Sequence, residues 1–220
     1  MPPRSPSGQP QLAASLPLSC WFDLPSGRAV LDSEQGVVEQ AVAARPGQPW
    51  LWLLPNPPGE LPPGRGLALG RTAAGWSGAI ACGLPLPLPS ECFGCVVLQH
   101  VAGPGAPGLL EEAARILVPG GHLWLLALNP LAPYRWRWRG QGFAASEPLT
   151  WRRRLRAVGL QPDPVSQGLG PTWMVQAAPR RQDGPGLRAA YLVRSEKRTH
   201  PLTPVRRRQP LRLPDGLAAG

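Results

Sequence analysis

Apolar positions recur at helical spacing early in the chain. Val30, Leu31, Val37, Val38, Ala41 and Val42 make one stripe, predicting a helix from a Ser26 cap to about Ala44, ended by Gly47 and Pro49. The pattern then changes period. Trp50 to Leu54 is a short continuous apolar run between prolines, the mark of a strand covered on both faces. Gly66–Leu69 and Ala79–Cys82 are weaker strand candidates, and Cys95–Gln99 is a clear one. A helix is expected from Pro107 through Leu117, with Leu109, Leu110, Ala113, Ile116 and Leu117 inward and Glu111, Glu112 and Arg115 in water. Val118-Pro-Gly-Gly121 fits a type II turn, with glycine where positive φ is required, and leads into a long apolar strand, His122–Leu128. Strand, helix, turn and strand in this order imply a parallel crossover. Beyond it lie an Arg/Trp-rich loop over 129–142, a Ser146-capped helix to Val158 with Gly159 at its end, and two final strands at Thr172–Ala178 and Ala189–Arg194 as an antiparallel pair.

Composition changes this picture little. The 31 Pro and 26 Gly are about a quarter of the 220 residues, but they are interspersed with apolar runs, which points to a globular domain with stiff loops. The expected division is a disordered leader over 1–20, one domain over 21–198 and a basic, Pro-rich disordered tail over 199–220. No run approaches the ~20 apolar residues of a membrane span, and the leader is too short in apolar length and broken by Pro17 for a secretion signal. The cytoplasm is the expected location.

Charge is more informative. The net +10 is unevenly placed: residues 1–133 carry six Arg against eight acids, 134–179 seven Arg against two, and 180–220 ten bases against three. Such asymmetry suggests an anionic partner, through the Arg-rich stretches 135–156 and 180–212, or a solvated, solubilising end. Tyr134-Arg-Trp-Arg-Trp-Arg139 mixes stacking faces with cations, which suits single-stranded nucleic acid, an anionic surface or a substrate lid; it equally suits an edge strand packing its tryptophans. Cys92-Phe-Gly-Cys95 has half a zinc-site spacing without a second pair, so no metal is expected.

The resemblance becomes specific in the middle of the chain. Leu86-Pro-Leu-Pro-Ser-Glu-Cys-Phe-Gly-Cys-Val-Val-Leu-Gln-His-Val101 and Leu109-Leu-Glu-Glu-Ala-Ala-Arg-Ile-Leu-Val-Pro-Gly-Gly-His-Leu123 resemble the second half of class I S-adenosylmethionine (SAM)-dependent methyltransferases. Glu112, Arg115, Leu117, Pro119, Gly120 and Gly121 match the family's L-x-E-x-x-R-V-L-(K/R)-P-G-G pattern. The resemblance covers roughly residues 50–178 and lies nearest type 11-like methyltransferases. It implies an α/β, Rossmann-like, doubly wound and mostly parallel seven-stranded sheet with an antiparallel final strand, and SAM as cofactor for an unknown methyl acceptor.

The first half departs from the family. The loop after the first strand, Pro55-Asn-Pro-Pro-Gly-Glu60, keeps one glycine, Leu69-Gly-Arg-Thr72 has no acid, Cys82 stands in place of the adenine-binding Asp, and Gly94 replaces another Asp. The connections Pro55–Arg65 and Gly70–Gly78 are short for parallel crossovers, so the first-half helices are expected to be shortened or missing. Carried onto this chain, the family's cofactor site falls on Leu54, Pro55, Asn56, Gly59, Cys82, Gly83, Leu84 and Gln99. His100, ending a strand where the methyl group would lie, is a candidate general base or a strand-end histidine bonded to backbone. Asn129 is a candidate for orienting substrate, or a plain turn initiator. Three functions follow: an active methyltransferase, a catalytically degenerate methyltransferase-fold binding module, or a basic-surface protein that binds RNA or an anionic membrane.

Overall fold

A computed structural model describes residues 19–198, except 58, 104–105, 142 and 144. The leader expected over 1–20 lies almost wholly outside the described residues, and the tail over 199–220 lies outside them entirely. The helices are α1 (Ser19–Asp23), α2 (Pro25–Ala43), α3 (Leu109–Ile116) and α4 (Pro148–Ala157), with one 3₁₀ turn at Pro133–Arg137. The strands are β1 (Trp50–Leu54), β2 (Gly66–Thr72), β3 (Gly75–Gly78), β4 (Ala81–Cys82), β5 (Phe93–Gln99), β6 (Leu117–Leu128), β7 (Leu160–Pro162), β8 (Gln167–Leu169), β9 (Gln182–Asp183) and β10 (Ala190–Lys197). They form one sheet in the order β4-β3-β2-β1-β5-β6-β10-β8-β9, with β7 also paired to β10.

The centre of this sheet is parallel: β2, β1, β5 and β6 run the same way. The remaining pairings are antiparallel. The α/β, doubly wound class therefore holds, with ten strands among the described residues rather than seven, and antiparallel additions at both edges. Alternation along β1 shows how the core divides. Leu51 and Leu53 enter a cluster with α3 and α4 residues such as Leu109, Ile116, Trp151 and Leu155. Trp50 and Leu54 enter the opposite cluster, with Val30, Val37, Val38 and Ala41 of α2. The stripe read from the sequence is the buried face of α2, but Leu24 and not Ser26 holds the N-cap position, because Pro25 opens the helix.

The third strand differs most from expectation. Ala79–Cys82 was to be a parallel strand; instead β2 turns back at Ala73-Ala74 into β3, and β4 follows as a short antiparallel addition. A connection this short cannot cross over a sheet face, whereas it closes a hairpin readily. The connection over 55–65 contains no helix among its described residues, as its five prolines require. Thr172–Ala178 is not a strand either. The free edge of β10 is taken by 160–162 and 167–169, and the 172–178 segment crosses to α2, where the Ala178 N–H donates to Ser33 Oγ at 2.9 Å. Glu147 and not Ser146 precedes α4, and the Arg/Trp segment is a 3₁₀ turn rather than an edge strand.

The crossover from β5 to β6 carries the family-like motif. Leu117 pairs with Phe93 and His122 with Cys95, so residues 118–121 loop out of the ladder, with Gly120 at φ +74°. Glu112 and Arg115 are structural here. Arg115 donates to the Leu86 and Leu88 carbonyls and to Glu112, whose carboxylate accepts the Leu86 N–H at 3.0 Å. This pair pins the proline-rich loop over 86–90 to α3.

Candidate functional site

The parallel strands end on one edge, which gathers most of the residues singled out from the sequence. Leu54, Pro55 and Asn56 leave β1, Gln99 and His100 leave β5, and Asn129 leaves β6. Because β3 reverses direction and β4 reverses it again, Cys82 also reaches this edge, level with Trp76 and Arg71, with Gly83 and Leu84 following. Gly59 lies in the exposed part of the 55–65 loop.

The densest chemistry is at the end of β5. Glu34 of α2 is completely buried, and its two oxygens lie 2.9 and 3.0 Å from His100 Nε2. Gln99 Nε2 donates to Glu34 at 2.8 Å, and Trp52 Nε1 donates to Gln99 Oε1 at 3.0 Å. The His100 side chain is 1% exposed and stacks on Phe22 of α1, with ring centroids 4.9 Å apart. Its backbone sits at φ +55°, the left-handed region costly for a side-chain-bearing residue. Tertiary contacts hold it there.

Sequence reasoning missed Glu34. The available signal was an acid inside the apolar stripe, between Val30 and Val38, where a helix that only packs would place a hydrophobe. Asp23 was missed as well: it accepts a hydrogen bond from Asn56 Nδ2 at 2.8 Å. Asn56 Oδ1 is shielded from solvent without a partner among the described residues. Arg71, at the end of β2, was missed too. It leans on the Trp76 ring and reaches toward the Val101 carbonyl beyond β5, and burial pushes its guanidinium below the ordinary value.

Asn129 is differently employed. It is buried, donates to the Gly186 and Arg188 carbonyls, and accepts the Leu131 N–H. Its amide is thereby spent on the chain itself, fixing the turn after β6. Cys92 and Cys95 face different clusters, on opposite sides of the sheet. Burial pushes the Cys95 thiol up to about 12.

No protein-family model and no curated protein sequence matches the chain. Solved structures do. A SAM-dependent methyltransferase from Thermotoga maritima superposes with a TM-score of 0.52 at 16% identity, covering 81% of this chain and 93% of the other. A chain of the complex between the Haloferax volcanii Trm112 methyltransferase activator and a methyltransferase gives 0.54 at 16% identity, covering 83% and 98%. The chain has the class I methyltransferase-like fold. At this identity the likeness establishes architecture, and function must be argued from the site. Among the described residues no helix is long and apolar enough to cross a membrane, and no group of three His, Cys, Asp or Glu could hold a metal.

Proposed function

We propose that the chain is a divergent SAM-dependent methyltransferase, located in the cytoplasm and acting on an acceptor still to be identified. One observation carries this reading. In a fold shared with methyltransferases, the carboxyl ends of β1 and β5 bring an unpartnered buried acceptor, Asn56 Oδ1, to the same edge as a buried Glu–His pair. The residues present fit the cofactor in part. Asn56 Oδ1 and the Asp23 carboxylate beside it supply acceptors for hydroxyl or ammonium groups, a role the family gives to an acid absent after β2. Leu54, Pro55, Cys82 and Leu84 would form apolar walls, Gly59 and Gly83 would allow close backbone approach, and Gln99 would close the floor. When bound, SAM supplies an electrophilic methyl group on a sulfonium. The protein's share is to orient the acceptor and take up its proton.

A specific observation favours the second reading, a fold retained as a binding module. A Cβ built on Gly70 would lie 2.5 Å from the Asn56 carbonyl oxygen and 2.7 Å from Pro57 Cα, so the 55–57 backbone lies tight against the end of β2. Calorimetry with SAM and with S-adenosylhomocysteine separates the two. Saturable heat supports the methyltransferase. No heat at high protein concentration, with circular dichroism showing a folded chain, leaves the binding module.

An anionic partner is part of the same proposal. Trp136 is 70% and Trp173 66% exposed. Arg139 stacks over Trp136 at 4.9 Å, and Arg137 donates to the Trp173 carbonyl. Exposed rings interleaved with cations suit bases and phosphates.

A further inference from the structure

The hydrogen bonds around Glu34 fix where the protons are. An indole N–H can only donate, so Trp52 requires Gln99 to present its carbonyl oxygen, Oε1, at 3.0 Å. The other end of that amide, Nε2, must then face Glu34 and donate to it at 2.8 Å. Glu34, with no exposed surface, is thereby cast as an acceptor, and a carboxylate accepts only. The proton between the remaining pair is placed on His100 Nε2, because on Glu34 it would make Nε2 the acceptor and put the ring's own hydrogen on Nδ1. That leaves Nδ1, which is buried without a partner among the described residues. A proton there would be a buried donor with no acceptor among the described residues, which is costly. The resting ring is therefore the Nε2–H tautomer, with a lone pair on Nδ1.

We infer that Glu34 is a positioning residue that holds His100 in this tautomer, making Nδ1 the proton acceptor for a methyl-accepting N–H or O–H group. The inference rests on the methyltransferase reading. In the step, the acceptor's N–H or O–H bond breaks, its electron pair stays on the nucleophile, and the proton bonds to Nδ1. The imidazolium formed is offset by the Glu34 carboxylate already in contact. Phe22, stacked on one face of the ring, is one of the groups that keep His100 from solvent.

The full chain has three histidines, so its imidazole ¹⁵N spectrum can be assigned by substituting His100 and His122 in turn. In its neutral form, read at the alkaline end of a pH series, His100 is expected as the Nε2–H tautomer. Glu34→Gln leaves one amide oxygen, which Gln99 occupies, and turns its NH₂ toward Nε2; the tautomer then inverts to Nδ1–H. Loss of packing alone would not move that signal. A wild-type Nδ1–H tautomer overturns the inference, even if Glu34→Gln fails to fold, and so does a Glu34→Gln protein with an unchanged spectrum. Phe22→Ala is expected to speed carbethoxylation of His100 by diethyl pyrocarbonate several-fold, with His122 as the internal control. An unchanged rate overturns the role given to Phe22. Calorimetry with S-adenosylhomocysteine reads the cofactor proposal separately: no heat beside the stated tautomer removes the methyltransferase reading and leaves the proton wiring intact.

Discussion

Gly70 shows how little room individual residues leave at the carboxyl edge. Its pairing with Leu54 carries the chain onward so that Asn56 and Pro57 pass directly over it. Gly70→Ala is expected to cost about 1–3 kcal/mol, the usual penalty of overpacking, measured by urea unfolding. A change within error would mean that the 55–57 loop moves aside freely. Gly27 is the comparable position beneath α1: a Cβ there would meet the Trp21 carbonyl oxygen at 2.3 Å. It lets α1 lie close on α2, which brings Phe22 over His100. The apolar character of Trp21 and Phe22 was evident from the sequence. That both would be buried, and one would cover a histidine 78 positions on, was not, because the five-residue α1 has too little periodicity to show a face.

At the scale of elements, α3 and the loop before β5 act as one unit through Glu112 and Arg115. The Arg115 guanidinium holds the Glu112 carboxyl below its ordinary value, chiefly by hydrogen bonding. A carboxyl depressed in the folded state stabilises the fold above its unfolded value of about 4.3, and that contribution is lost as pH falls through the lower, folded value. Glu112→Gln should therefore flatten the acid limb of the stability–pH profile, read as unfolding midpoints across the acid range. Arg115→Ala should lose about 2 kcal/mol at neutral pH through its charged hydrogen bonds to the Leu86 and Leu88 carbonyls. An Arg115→Ala midpoint equal to wild type would show that the loop is held otherwise. α3 and β6 were legible because the helical period, the Pro119-Gly120-Gly121 turn and the apolar run after it agree locally. The β2–β3 hairpin was not. Gly66–Leu69 and Ala79–Cys82 each look like strands, but Gly75–Gly78 between them, which folds back on β2, carries no strand pattern of its own.

For the whole molecule, the likeness to methyltransferases is one of overall fold, while charge is concentrated in the second half. If the Arg/Trp surface binds an anionic partner, Trp136→Ala with Arg139→Ala should weaken binding to single-stranded RNA and reduce its salt dependence, measured by fluorescence anisotropy across a salt series. Removing residues 199–220 tests the tail in the same assay. Unchanged affinity and slope in both would make these residues a solubilising surface. By itself the sequence determined what short-range physics dictates: the stripe of α2, the buried strands β1, β5 and β6, the crossover between the last two, and the missing helix where five prolines interrupt 55–65. It also carried the resemblance that names the fold. Tertiary structure alone decided the rest. Whether Thr172–Ala178 pairs depends on which segment already occupies the edge of β10. Whether Asn129 faces a ligand depends on carbonyls some 57 residues away. Glu34 becomes the partner of His100 only once α2 is laid against β5, 66 positions along the chain. Periodicity records which face of an element is buried; it does not record what that face will meet.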